Sequence, residues 1–143
     1  GWAKYSDWKK DNTVPKKIAY SLGVKQWQPH NYKNRRSIVM EGGSIEVNGK
    51  GTLMTTEECL LSSSQMRNPG LSRLEVEKVF NQYMGIEKVI WLGKGIAGDD
   101  THGHIDDVAR FVNSTTVVVS LEKNRNYCSR NIWSKRSNGR YKN

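Results

Sequence analysis

Ten consecutive residues, Gly98-Asp99-Asp100-Thr101-His102-Gly103-His104-Ile105-Asp106-Asp107, carry four of the chain's fourteen acidic side chains and two of its three histidines. Glycines at 98 and 103 let the backbone turn tightly around them. An acidic run alone is usually a solvated face. Two histidines at alternate positions, flanked by acids at a strand edge, read instead as a site.

Two chemistries fit that site. Thr101-His102-Gly103-His104-Ile105-Asp106 is similar to the Thr-His-x-His-x-Asp run of the metallo-β-lactamase superfamily, in which alternate histidines ligate a metal. The residue after Asp106 is Asp107 rather than His, only His30 remains as a further imidazole, and a first-row metal site needs three or four protein ligands. A metal-dependent hydrolase is one alternative. Guanidinium chemistry is the other: a carboxylate such as Asp106 holds a planar cation in a two-point fork, and His104 shuttles protons. Glu41, followed by two glycines, could orient that histidine.

The elements that must position these residues follow from local patterns. Val14, Ile18 and Leu22 keep helical spacing, with cap oxygens at 11–13, Pro15 in the first turn and Gly23 as the stop. After a polar stretch, 37–40 reads as a short strand that Glu41-Gly42-Gly43 breaks. Ile45 and Val47, the turn Asn48-Gly49 and the run 52–56 form a hairpin pattern. Ser72-Arg73-Leu74-Glu75 is a capping box opening a helix with Leu74, Val76, Val79, Phe80 and Tyr83, closed by Gly85. Residues 88–92 read as a buried strand, and 108–112 and 116–121, joined at Asn113-Ser114, as a second hairpin. The pattern is α/β (α+β). It contains one whole strand-strand-helix-strand unit, the end of another before it and the start of a third, which suggests a piece of a larger fold.

Bulk properties narrow the classes. The formal charge is +9, but seven of the 23 basic residues and one of the 14 acidic ones lie from Glu122 onward, so the body is nearly balanced. A non-catalytic basic binding module remains an alternative, with Tyr127, Trp133 and Tyr141 interleaved among the cations. Charge without a folded platform gives only non-specific attraction, which argues against a nucleic-acid partner. No apolar run approaches the roughly 20 residues of a membrane span. Cys59 and Cys128 have neither disulfide-framework nor zinc-knuckle spacing, so a reduced, cytoplasmic setting is expected. The chain opens on Gly1-Trp2, as a segment from within a longer protein would.

Met40-Glu41-Gly42-Gly43-Ser44, residues 51–61, Arg67-Asn68-Pro69, residues 89–92 and the run 98–107 together resemble the agmatine deiminase family, also labelled Porphyromonas-type peptidylarginine deiminase, in order and spacing. The resemblance implies a partial pentein, an α/β-propeller of strand-strand-helix-strand modules around a pseudo-fivefold axis. It implies a domain over 1–123 and a basic, disordered or aberrant tail over 124–143. His104 matches the family's general acid/base, Asp106 its guanidinium-binding carboxylate and Glu41 the acid supporting the histidine. Asp99, Asp100, His102 and Asp107 would shape the loop. The implied reaction is hydrolysis of agmatine to N-carbamoylputrescine and ammonia, a step towards putrescine, without metal or organic cofactor; peptidyl-arginine is the related substrate. The family's nucleophilic cysteine has no match, Cys59 falling where the family carries a structural residue and Cys128 in the tail. The segment alone is therefore expected to be inactive, and homo-oligomerisation at full length is left open.

Overall fold

The computed structural model describes residues 6–31, 35–64 and 66–121. Two helices come first, α1 (Trp8–Asp11) and α2 (Val14–Leu22). Pro15 sits in the first turn of α2, and Gly23 ends it in the left-handed region at φ 64°. The expected side-chain cap is absent. Thr13 is still αR because α1 runs almost directly into α2, and its hydroxyl donates backward to the Lys10 carbonyl at 2.7 Å. The apolar face that the spacing marks out is present yet uncovered: Val14, Ile18 and Leu22 are all exposed.

Strands β1 (Glu46–Val47), β2 (Thr52–Thr56) and β3 (Lys88–Leu92) form a three-stranded sheet in that order. β1 pairs antiparallel with β2 and β2 parallel with β3, Leu53 opposite Val89 and Met54 opposite Ile90. The hairpin turn extends from Asn48 to Gly51, because Asn48 Oδ1 accepts from the backbone N–H groups of Lys50 and Thr52 at 2.8 and 3.0 Å, an Asx turn. Helix α3 (Glu57–Leu61) and helix α4 (Arg73–Met84) lie between β2 and β3. The capping box at Ser72 and Glu75 is formed on both sides, and Gly85 closes α4 at φ 67°. Val76, Val79 and Phe80 are buried as the spacing predicts, whereas Leu74 faces solvent.

Alternation along β2 divides the core. Leu53 faces Leu60, Val76, Val79 and Phe80 on the α4 side. Met54 faces Ile105, Val108 and Ala109 on the other. Burial of a side chain like Phe80 stabilises the fold by roughly 1.5–3 kcal/mol. The second face anchors the loop 93–108 and the hairpin of β4 (Ala109–Asn113) and β5 (Thr116–Val119). That hairpin docks against β1: Phe111 N–H donates to Glu46 Oε1 at 2.9 Å, and Asn48 Nδ2 donates to the Ser114 carbonyl at 2.8 Å.

One expected element does not form. Residues 38–40 are not a strand, and among the described residues the only ladder contact there is an isolated bridge between His30 and Ser37. The side-chain amide of Asn68 takes the place of a neighbouring strand, accepting from Val39 N–H at 2.8 Å and donating to the Val39 carbonyl at 2.9 Å. No helix among the described residues is long and apolar enough to cross a membrane. The expectations for Cys128 and the tail 124–143 fall outside the described residues.

Candidate functional site

The extended residue Glu41 (φ −100°, ψ 140°) precedes a 3-10 turn, Gly42–Ser44. The Ser44 hydroxyl and N–H both close on the Glu41 carbonyl at 2.7 and 3.0 Å, and the Thr55 hydroxyl of β2 ties the turn to the sheet through the Ser44 carbonyl at 2.8 Å. Glu41 is thus fixed at the sheet's edge. The Gly43 carbonyl accepts from Ile105 N–H at 3.0 Å and Asp106 N–H at 3.4 Å. This backbone contact brings the histidine-bearing loop over Glu41, 63 residues away in sequence.

The side chains then meet. His104 Nε2 lies 2.9 Å from Glu41 Oε2, both side chains being largely shielded, with 15% and 17% exposure. Arg67 Nε donates to the same oxygen at 3.0 Å from a guanidinium only 1% exposed. The other carboxylate oxygen, Glu41 Oε1, is buried and makes no hydrogen bond. A methyl group on Gly43 would sit 2.3 Å from His104 Nδ1 and 3.0 Å from Asp106 Oδ1, so imidazole and carboxylate crowd one point above that glycine. Asp106 is less committed: its charge partner is the exposed Arg110, 3.9 Å away. An imidazole held by a carboxylate, beside a half-free carboxylate, can exchange protons next to a bound cation.

The loop itself is organised by Asp99. Its Oδ1 accepts from Thr101 N–H at 2.7 Å and from the Thr101 hydroxyl at 2.5 Å, and its Oδ2 accepts from Gly103 N–H at 2.8 Å and His104 N–H at 3.2 Å. Burial pushes the Asp99 carboxyl up, but the hydrogen bonds from Thr101, Gly103 and His104 together outweigh it and leave it below its ordinary value. They also hold His102 and Gly103 at φ 58° and 95°, a left-handed pair that turns successive N–H groups toward one anion. His102 is spent locally, its Nδ1 2.7 Å from the Asp100 carbonyl. Asp100 and Asp107 stand at the loop's exposed rim.

One finding departs from the sequence reading, and two more bear on the alternatives it weighed. Arg67 had no assigned task, yet it is the buried cation that joins Glu41 to the Thr101 carbonyl. Its signal was the Arg67-Asn68-Pro69 motif: Asn68 clamps Val39 while Arg67 clamps Glu41, two residues on. Cys59, read as merely structural, lies beside the pair, with donor atoms of Glu41, Cys59 and His104 all within 4.8 Å of one another. Burial, reinforced by Glu41, Asp99 and Glu58 and opposed by Arg67, pushes its thiol up to about 12. A thiol kept protonated is no nucleophile at neutral pH. The alternate-histidine metal reading also fails geometrically, because the only such donor group among the described residues contains His104 without His102.

Comparison with known proteins places the chain among guanidine deiminases. The family of Porphyromonas-type peptidyl-arginine deiminases matches residues 1–137. An agmatine deiminase of Medicago truncatula is 45% identical over 117 residues, covering 81% of this chain and 29% of the relative. One from Ectopseudomonas mendocina is 40% identical over 122 residues, covering 85% and 31%. Among solved structures, the agmatine deiminase of Enterococcus faecalis superposes with a TM-score of 0.74 at 39% identity, covering 85% of this chain and 31% of that one. A C. jejuni agmatine deiminase with substrate bound gives 0.67 at 31% identity, covering 82% and 34%. The chain thus spans about a third of the length of the proteins it matches.

Proposed function

Since the chain belongs to the Porphyromonas-type peptidyl-arginine deiminase family, we propose that it supplies one side of the active site of an agmatine deiminase with a pentein propeller fold. The observation that carries this reading is the Glu41–His104 contact at 2.9 Å beside Asp106. Asp106 holds the guanidinium of agmatine through paired N–H···O bonds. A cysteine thiolate attacks the guanidinium carbon, and His104, steadied by Glu41, gives a proton to the departing ammonia. The same imidazole then takes a proton from the water that releases N-carbamoylputrescine from the sulfur. Cys59 is unsuited to the attack, so the nucleophile is a cysteine outside the described residues or supplied by the remainder of the enzyme. A reducing, cytoplasmic setting suits such thiol chemistry.

The test is product analysis. Residues 6–121 are exchanged into the Enterococcus faecalis agmatine deiminase in place of the matching segment. Mass spectrometry should find N-carbamoylputrescine and ammonia from agmatine, and no change in an arginine-containing peptide. Conversion of the peptidyl arginine in preference to agmatine would transfer the assignment to protein deimination.

A further inference from the structure

We infer that Glu41, Cys59 and His104 form a binding site for a soft divalent metal ion of the Zn²⁺ type, one that competes with the Glu41–His104 hydrogen bond. The three donor atoms lie within 4.8 Å of one another, and His104 Nε2 already rests 2.9 Å from one oxygen of the Glu41 carboxylate. Bonds of about 2.0–2.3 Å to a tetrahedral ion place its donors roughly 3–4 Å apart, so a small inward shift suffices. One sulfur, one imidazole nitrogen and one carboxylate oxygen are a zinc-like set, and the thiolate discriminates against hard ions such as Mg²⁺ and Ca²⁺.

Each donor has a reason to be available. Glu41 Oε1 is buried without a hydrogen bond, an unmet acceptor whose burial is costly and which an ion would satisfy. His104 Nδ1 faces Gly43, over which not even a methyl group would fit, and Nε2 is the nitrogen turned to Glu41, so Nε2 is the ligating nitrogen. Cys59 is fully buried, its backbone N–H held by the Thr56 hydroxyl at 3.1 Å, so the sulfur is a fixed floor to the site. Entry is from the side where Glu41 and His104 retain some exposure. Arg67 stays on Oε2, and its positive charge weakens the site without blocking it.

Binding converts Cys59–SH and M²⁺ into Cys59–S–M⁺ and a released proton. Affinity therefore rises about tenfold per pH unit while the thiol is otherwise protonated. The ion occupies the His104 nitrogen that pairs with Glu41. Under the deiminase reading this makes it an inhibitor, but the binding itself does not depend on that reading.

The experiment uses the 143-residue chain, freed of metal with EDTA and titrated with Co²⁺ as an absorbing stand-in, followed by Zn²⁺ competition. One equivalent should give a near-ultraviolet sulfur-to-cobalt band that Zn²⁺ abolishes. The band should persist in Cys128→Ser and His102→Ala and vanish in Cys59→Ser. Glu41→Gln and His104→Ala should each weaken binding about tenfold or more. Should Cys59→Ser fail to fold, as judged by circular dichroism, those two variants decide the matter, since both side chains keep some exposure where Cys59 has none. No band in the wild-type chain, a band lost in Cys128→Ser or kept in folded Cys59→Ser, or unchanged affinity in Glu41→Gln and His104→Ala would overturn the assignment.

Discussion

His104 lies so close over Gly43 that a single methyl group on that glycine would fall 2.3 Å from the ring Nδ1. Gly43 has no positive φ, so what the position requires is space rather than an unusual backbone. Gly43→Ala should therefore swing the imidazole off Glu41 while leaving the sheet intact. In the chimeric enzyme the expected result is a loss of kcat of at least about a hundredfold, with an unchanged circular dichroism spectrum. A variant that turns over normally would mean the ring need not rest where it does.

Arg67 should matter through Glu41. Arg67→Gln leaves a shielded carboxylate without its cation, and breaking a buried pair in this way costs about 3–5 kcal/mol, read as a lower urea midpoint. Arg67→Lys keeps the charge but cannot reach both Glu41 and the Thr101 carbonyl with one planar fork. It should recover most of the stability and lose kcat with KM for agmatine little changed. Equal stability of the Gln variant and the wild-type chain would contradict the role given to Arg67.

The sequence showed local devices and missed long-range ones. The Ser72–Glu75 box and the Gly85 stop depend on neighbours within a few residues, and both form; Asn48-Gly49 marks a hairpin whose turn runs on to Gly51. The strand expected at 37–40 fails because Val39 bonds to the Asn68 amide, 29 residues away. Helix α3 went unread because it follows a β-prone Thr-Thr pair, and the Thr56 hydroxyl that caps it also reaches the Gly103 carbonyl, 47 residues on. Periodicity marked the apolar face of α2 but carries no information on what covers it. At the site, residue types pointed to His104, Asp106 and Glu41. The cation and thiol beside them, Arg67 and Cys59, became visible only once the chain had folded.

Asp99 makes a pH prediction. Its folded carboxyl lies below the ordinary value because four hydrogen bonds favour the anion over the effect of burial. A depressed pKa contributes stability that is fully present above the unfolded value of about 3.9 and is lost as pH falls through the lower folded value. Urea midpoints measured across the acid range should show this loss in the wild-type chain and much less of it in Asp99→Asn, which should also be less stable at neutral pH. Superimposable pH profiles for the two proteins would contradict the arrangement around Asp99.

The most direct test of the central claim is the effect of His104→Ala on ammonia release from agmatine by the chimera carrying residues 6–121. A proton-transfer group contributes about 10²–10⁴-fold. The expected result is a loss of kcat in that range with agmatine binding retained, because Asp106 is left to hold the cation. An active chimera whose turnover is indifferent to His104→Ala would contradict the proton-transfer role of His104.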